Sequence, residues 1–78
     1  MKLQGKKVVG AKQTIKYIKS GMAVKVYIAK DAETKVTKPI EEICKQNDIE
    51  LIYVSTMKEL GRMCGIDIGA ATAALINE

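Results

Sequence analysis

The segment from Gly10 to Lys16 carries residue types that bind nucleic acid. Its sequence, Gly-Ala-Lys-Gln-Thr-Ile-Lys, is a glycine turn that leads directly into a helical pattern. Helix N-termini offer free backbone N–H groups and a partial positive charge, which suit phosphates. Lys12, Lys16 and Lys19 are spaced to line one helix face, and Gln13 can donate and accept hydrogen bonds at a base edge. The same pattern also fits a surface helix whose lysines face water.

A second unusual segment is Gly65-Ile66-Asp67-Ile68-Gly69, in which two isoleucines stand between glycines. Loops are usually polar because they run along the surface. Two interpretations are open. Either Ile66 and Ile68 tuck into the core, or one of them is exposed and packs against an unstacked base, such as RNA presents in single strands and bulges.

Charge is distributed unevenly along the chain. Residues 1–30 contain eight lysines and no acidic residue, whereas residues 31–78 contain five basic and nine acidic residues. The net charge of the whole chain is +4. This asymmetry indicates a polyanionic partner that contacts mainly the first third of the chain, centred between Lys6 and Lys19. A lysine-rich surface exposed to solvent is the alternative explanation.

Residues typical of catalytic and metal sites are scarce. The chain has no histidine, and therefore lacks the commonest general base and metal ligand. Cys44 and Cys64 do not make a zinc site without histidine, and Glu41 and Glu42 would point to different sides of one helix. We therefore expect no metal, no cofactor and no enzymatic activity. A small enzyme with Cys64 as its nucleophile is disfavoured, because no activating base is evident.

The chain length of 78 residues suits one domain, which we place at residues 1–78. A hydrophobic content of 47% argues against disorder. No stretch approaches the ~18 apolar residues of a membrane span, and no signal peptide is visible. We therefore expect a soluble cytoplasmic monomer with reduced thiols, either associated with the ribosome or separate from it.

Hydrophobic periodicity in the first half of the chain predicts two helices and a strand. The first helix is expected from Ala11 to Ser20 with Gly21 as its stop, and a strand from Ala23 to Ala29 is apolar on both faces. The second helix is expected to begin near Thr37. The inward residues are predicted to be Ile15, Ile18 and Met22 for the first helix, and Val36, Ile40, Ile43 and Cys44 for the second.

Capping signals support the second helix and a third one. Pro39 is expected in the first turn of the second helix, Glu41 and Glu42 near its positive dipole end, and Asn47 at its end. A strand from Ile49 to Val54 follows. Thr56 and Glu59 then form a capping box for a helix that ends at Gly65, with Met57, Leu60 and Met63 inward. The segment from Ala70 to Ile76 fits either a helix or a strand.

Short matches to a known family are spread over essentially the whole chain. They are Gly10, Gln13, Lys16, Gly21, the strand Val-Lys-Val-Tyr-Ile-Ala at residues 24–29, Asp31, Ile52-Tyr53-Val54, Lys58-Glu59-Leu60-Gly61, Cys64-Gly65-Ile66 and the alanine-rich end. Together they resemble the kink-turn-binding ribosomal protein family. That family includes an archaeal large-subunit protein, box C/D and H/ACA particle proteins and short bacterial paralogues.

The resemblance implies an α/β fold, a three-layer α/β/α sandwich with a central mixed sheet of about four strands. It also implies that Thr72 to Ile76 is a strand, preceded by a short helical turn at residues 69–71.

The resemblance also implies a function, the recognition of kink-turn RNA, in which a three-nucleotide bulge adjoins tandem sheared G·A pairs. The glycine turn and first helix would enter the major groove beside the G·A pairs, and the hydrophobic loop would cover a base flipped out of the bulge. Lys12-Gln13 stands where many members carry Asn-Glu, a departure that this chain shares with the short bacterial branch. The implied RNA-binding residues are Lys7, Gly10, Ala11, Lys12, Gln13, Lys16, Ile66, Asp67 and Ile68.

The alternative function is a protein-interaction or structural module within a ribonucleoprotein particle. Such a module would use the loop with Ile66 and Ile68 against a protein partner. The sequence leaves open which RNA is the natural target, with ribosomal RNA, a riboswitch and other structured RNAs among the candidates.

Overall fold

The computed structural model describes residues 5–77, so that Lys2, one of the eight N-terminal lysines, lies outside the described range. The described part contains three helices and one four-stranded sheet. None of these helices is long and apolar enough to cross a membrane. In chain order the elements are β1 (Lys7–Val9), α1 (Ala11–Lys19), β2 (Ala23–Ala29), α2 (Thr34–Gln46), β3 (Glu50–Val54), α3 (Met57–Cys64) and β4 (Thr72–Ile76).

The sheet is mixed and has the strand order β1-β4-β2-β3. β2 and β3 are parallel, while β4 is antiparallel to both of its neighbours, β1 and β2. As a result β1, β2 and β3 all end at the same edge of the sheet, and β4 begins there. We call this edge the loop edge; it carries Gly10 and residues 30–33, 55–56 and 65–71.

Helices cover both faces of the sheet because the residues of β2 are apolar on both sides. Val26 and Ile28 pack into one core with α1 and α2, whereas Tyr27 and Ala29 pack into another with α3. The alternation follows from the two-residue period of a strand. The arrangement confirms the predicted three-layer α/β/α sandwich with a mixed sheet of four strands.

The three helices end in the same kind of hydrogen-bonded turn, in which one residue adopts a left-handed backbone. At the end of α3, Gly65 has a φ of 78°, and the N–H of Ile66 donates to the carbonyl oxygen of Gly61 at 3.0 Å. Gly21 closes α1 in the same conformation, as predicted, while Asp48, with a φ of 56°, closes α2 after the cap at Asn47. Glycine favours this conformation because it has no Cβ to clash.

Most other predicted boundaries are also confirmed. β2 and β4 have the predicted bounds, and α1 begins at the predicted Ala11. β3 begins at Glu50, one residue after the predicted start. The Thr56 hydroxyl accepts a hydrogen bond from the Glu59 N–H at 3.0 Å, which confirms Thr56 as the cap of α3. Cys44 and Cys64 are both buried and unpaired.

The predicted start of α2 is wrong. The helix begins at Thr34 rather than near Thr37, so Pro39 lies inside it and Glu41 and Glu42 lie in its middle rather than at its positive end. Thr37 is buried, which extends the inward face of the helix by one turn toward its N-terminus. Packing of that face against the sheet outweighs the backbone hydrogen bond that Pro39 cannot donate.

The ends of the sheet also differ from the prediction. β1 is only three residues long, too short for its periodicity to predict a strand. The helical turn expected at residues 69–71 is not formed. Instead the carbonyl oxygen of Ala71 accepts a hydrogen bond from the N–H of Ala29 at 2.9 Å, so this segment continues the pairing of β2 with β4.

One inward residue of α3 is wrongly predicted. Met57 is 36% exposed, whereas Leu60 and Cys64 are buried. Gly61 is buried as well, because the chain after the helix folds back across it. The apolar character of Met57 therefore belongs to the surface at the loop edge rather than to the core.

Candidate nucleic-acid interface

Gly10 forms a sharp entry into α1. Its φ of 103° and ψ of 155° lie in a region that side chains disfavour, and its carbonyl oxygen accepts the first helical hydrogen bond, from the N–H of Thr14 at 3.0 Å. Glycine has no side chain to cap the helix, and the first turn of α1 carries no acidic residue. The backbone N–H groups of that turn are therefore left for an external anion.

The orientation of α1 turns three of the predicted site residues toward solvent. Thr14 and Ile18 are buried against the sheet, so the residues on the other side of the helix, Lys12, Gln13 and Lys16, are all exposed. The Lys16 ammonium lies 5.8 Å from the centre of the Tyr17 ring, a distance at which a cation–π attraction favours that position. Ala11 is half-buried among residues of the α1 and α2 core.

In the loop of residues 65–69, the two isoleucines have different environments. Ile66 is half-buried and packs against the core on the α3 side of the sheet, whereas Ile68 is 74% exposed. Ile66 therefore fits the interpretation of a residue tucked into the core, and Ile68 fits that of an exposed residue. Asp67 between them is exposed, and its carboxylate makes no hydrogen bond within the described part of the chain.

The loop lies directly on α3. A Cβ atom placed on Gly61 would be 2.0 Å from the carbonyl oxygen of Ile68, and one placed on Gly69 would be 3.2 Å from the Cβ of Met57. The N–H of Ala70 donates to the carbonyl oxygen of Met57 at 3.0 Å. These close contacts fix the height of the loop above the helix, and with it the position of the Ile68 side chain.

Asp31, a residue of the family resemblance without a predicted role, holds the start of α3. Its carboxylate oxygen Oδ1 accepts a hydrogen bond from the N–H of Met57 at 2.7 Å. Together with the Thr56 cap, this bond links the end of β2 to the helix that supports the loop. In the sequence, the only sign of this contact was an aspartate just after a strand. The partner of Asp31, the N–H of Met57, is 26 residues away and could not be predicted.

The two predicted segments meet at the loop edge. The N–H of Gly10 donates to the carbonyl oxygen of Thr72 at 3.0 Å, and Thr72 begins β4, shortly after the loop that carries Ile68. Lys7 is half-buried on β1, beside the C-terminal end of α3. Burial raises the pKa of the Cys64 thiol, and the nearby Lys7 ammonium partly offsets that rise. The start of α1 and the 65–69 loop, which carry eight of the nine predicted site residues, therefore lie close to each other, whereas Lys7 begins β1, at the end of that strand away from Gly10.

The structure adds Met57 to this surface. Its partly exposed side chain lies next to Gly69 and belongs to the same edge as Ile68. Met57 could not be recognised from the sequence, since a methionine at this helical spacing fits a buried position equally well. Within residues 5–77 no group of three or more His, Cys, Asp or Glu side chains is placed to hold a metal ion.

Known proteins similar to this chain were found by sequence. An RNA-binding protein of Caldanaerobacter subterraneus subsp. tengcongensis is 61% identical over 69 residues, which cover 88% of this chain and 84% of that protein. An RNA-binding protein of Halalkalibacterium halodurans is 48% identical over 68 residues, or 87% of this chain and 83% of that protein. The RNA-binding protein YbxF of Geobacillus stearothermophilus is 36% identical over 72 residues, or 92% and 88%.

Similar solved structures and a family model agree with these relatives. A 15.5 kD RNA-binding protein of Giardia lamblia superimposes with a TM-score of 0.86 at 22% identity, over 92% of this chain and 61% of that one. A Bacillus halodurans protein of unknown function superimposes with a TM-score of 0.83 at 21% identity, over 91% and 71%. At this identity the two structures show the fold alone. The model of the ribosomal protein L7Ae/L30e/S12e/Gadd45 family matches residues 1–78, and this chain belongs to that family.

Proposed function

We propose that this protein binds RNA, and that it recognises and stabilises the kink-turn motif. The observation that carries the proposal is the hydrogen bond from Gly10 to Thr72, because it brings a cationic helix N-terminus and an exposed apolar loop to the same edge. Relatives with up to 61% identity are named RNA-binding proteins. A bulge next to tandem G·A pairs offers both a polar base edge and an unstacked base, which match the two parts of this surface.

In this proposal α1 contacts the stem that contains the G·A pairs. The free N–H groups after Gly10 and the exposed ammonium groups of Lys12 and Lys16 bind phosphates. Gln13 lies beside them on the exposed side and hydrogen-bonds a guanine edge. Its amide oxygen accepts without carrying a charge, so Gln13 adds no repulsion toward the phosphates. Ala11 completes the contact directly after the glycine turn, whereas Lys7 adds a cation on the α3 side of the sheet, near Cys64.

The 65–69 loop contacts the bulge. Ile68 is the exposed apolar residue and packs on the face of the flipped-out base, while Ile66 anchors the loop from below. Met57 extends the apolar surface beside Gly69. Asp67 accepts a hydrogen bond from the RNA, since its carboxylate is exposed and has no hydrogen-bond partner within residues 5–77. An unstacked base on an apolar surface excludes water from both partners.

Binding at two sites on one edge would favour the bent form of the RNA. A free kink-turn samples extended and kinked conformations, and a ligand shifts that equilibrium only by its differential affinity for the two. Only the kinked form presents the G·A edge and the flipped base in the right relative position. Membership in a ribosomal protein family favours ribosomal RNA as the target class, with one chain bound to one kink-turn.

The test is a binding comparison with a synthetic kink-turn RNA and a matched RNA whose G·A pairs are replaced by Watson–Crick pairs. We expect tighter binding to the intact kink-turn and an affinity that falls steeply as salt is raised. Equal affinity for the two RNAs would contradict kink-turn recognition while leaving RNA binding intact. Failure to bind either RNA would support the protein-interaction alternative, whose apolar contact through Ile68 should be nearly insensitive to salt.

A further inference from the structure

α3 carries two cations on the side that borders the 65–69 loop. The loop crosses α3 at Met57 and Gly61. Successive helical residues lie about 100° apart, so Lys58 and Arg62 form the next column around the helix, and both are exposed. They line a surface groove of about 570 Å³ with Thr56, Glu59 and Met63. Glu59 and Met63 occupy the column farther from the loop.

Helix stability accounts for Arg62, which lies in the last turn of α3, where the negative end of the helix dipole favours a cation, but it does not account for Lys58. Lys58 lies in the first turn of α3, where the positive end of the helix dipole disfavours a cation. Lys58 and Arg62 are also four residues apart, a spacing at which like charges repel. Neither is within ion-pair distance of an acidic side chain among residues 5–77, unlike Lys35, which pairs with Glu33. A cation that breaks a local rule, as Lys58 does, points to an external partner.

The position of Lys58 and Arg62 indicates which part of an RNA they contact. α1 and α3 cover opposite faces of the sheet, and Ile68 lies in the loop that crosses α3. The exposed Lys12 and Lys16 therefore lie on the α1 side of the sheet, whereas Lys58 and Arg62 lie on the α3 side, next to the loop that carries Ile68. A straight RNA duplex bound to α1 would not reach the cations on α3. The two stems of a bent RNA diverge from the bulge in different directions and can reach both helices.

We propose that Lys58 and Arg62 bind the phosphate backbone of the second stem, on the opposite side of the bulge from the G·A pairs. This inference rests on the proposed kink-turn function and extends it to a contact on α3. The protein then holds the bend from both sides: α1 binds the stem with the G·A pairs, Ile68 binds the base between the stems, and α3 binds the second stem.

The test measures how the affinity for a synthetic kink-turn RNA depends on salt, for the wild type, Lys58→Gln and Arg62→Gln. Each variant should flatten the slope of log affinity against log salt by ~1 when the second stem is a full helical turn long. Neither should change the slope when that stem is trimmed to the few pairs that still hold the bulge. Lys45→Gln is the matched control, because Lys45 is exposed and lies in the last turn of α2, at the opposite edge of the sheet.

Thermal unfolding gives a second readout. Lys58→Gln should unfold at a slightly higher temperature than the wild type, since it removes a cation from the first turn of α3, and a weaker RNA contact then cannot be blamed on misfolding. Unchanged salt slopes on the long-stem RNA would overturn the inference, as would equal changes on the long and trimmed RNAs. Equal affinity of the wild type for kinked and fully paired RNA would instead refute the proposed function itself.

Discussion

The carbonyl oxygen of Ile68 lies so close to Gly61 that a Cβ on the glycine would be 2.0 Å away. Backbone, rather than a flexible side chain, occupies that space, so a side chain at position 61 must displace the loop. The exposed isoleucine is thus held at its height by the absence of a side chain on the helix below. This relationship gives the Glu-Leu-Gly sequence of α3 a physical role in positioning the apolar part of the interface.

We predict that Gly61→Ala lifts the 65–69 loop away from α3. Overpacking costs about 1–3 kcal/mol, and the better helix propensity of alanine returns up to about 1 kcal/mol, so the free energy of unfolding should fall by about 1–2 kcal/mol. RNA affinity should fall as well, because Ile68 no longer fits the flipped base. Chemical denaturation and RNA titration measure the two effects.

A destabilised control separates these effects. Gly21→Ala forces a left-handed backbone with a φ of 78° on a side chain, at a cost of roughly 1–2 kcal/mol, at the opposite edge of the sheet. It should lower stability to a similar degree and leave RNA affinity unchanged. If both variants bound RNA equally well, Gly61 would have no positioning role.

Ile66 and Ile68 should respond differently to the same substitution. Ile68→Ala should change the free energy of unfolding by less than about 0.5 kcal/mol, since its side chain is 74% exposed. It should weaken RNA binding by roughly ten- to a hundredfold, because burial of such a side chain contributes about 1.5–3 kcal/mol. Ile66→Ala should lower stability by about 1–2 kcal/mol, less than a fully buried isoleucine. Full RNA affinity of folded Ile68→Ala would remove the loop from the proposed interface.

Several features of the fold could be predicted because they depend on neighbouring residues alone. The helix ends at Gly21 and Gly65 follow from the conformational freedom of glycine, and β2 follows from a continuous apolar run. The start of α2 could not be predicted, because packing of Thr37 outweighs the local signal of Pro39. β1 is defined by its pairing with β4, which no three-residue pattern contains.

The candidate site likewise has parts that could be predicted from neighbouring residues and parts that depend on tertiary contacts. The types and spacing of Lys12, Gln13 and Lys16 could be recognised along a single helix. The sequence left open which of the two isoleucines is exposed, since that depends on how the loop crosses Gly61. The contributions of Met57 and Asp31 also arise from tertiary contacts, in which Asp31 binds the N–H of Met57.

Gln13 should set the preference for G·A pairs. A well-formed amide contact to a base edge contributes about 1–3 kcal/mol of discrimination, so Gln13→Ala should bring the affinities for intact and G·A-disrupted RNA closer by about that amount. Lys12→Ala and Lys16→Ala should instead weaken binding to both RNAs and flatten the salt dependence by ~1 each. An equal loss of affinity for both RNAs in Gln13→Ala would show that Gln13 does not read the base.

The two thiols should make the protein less stable at alkaline pH. Burial raises the pKa of Cys44, with a further rise from the carboxylate of Glu41, and burial also raises the pKa of Cys64. The unfolded chain therefore loses these protons at lower pH than the folded chain, starting near the ordinary thiol pKa of about 8.5. The stabilisation that the two thiols give the folded protein is therefore complete below that pH and is lost as pH rises above it.

Denaturation midpoints measured from neutral pH to about pH 10 test this expectation. The double variant Cys44→Ala, Cys64→Ala is the comparison, and its stability should fall less over the alkaline range than that of the wild type. A parallel fall in both proteins would assign the alkaline loss to other groups.

The buried threonines Thr14 and Thr72 should respond in opposite directions to replacement by valine. The Thr14 hydroxyl is buried without a hydrogen-bond partner among residues 5–77, whereas the Thr72 hydroxyl donates to the carbonyl oxygen of Tyr27 at 2.7 Å. Burying a polar group without a partner costs about 1–3 kcal/mol, so Thr14→Val should raise the free energy of unfolding by about 1 kcal/mol. Thr72→Val should lower the free energy of unfolding by about 1–3 kcal/mol, because the buried carbonyl oxygen of Tyr27 then loses a hydrogen bond. A loss of stability in Thr14→Val would contradict an unpartnered hydroxyl at this position.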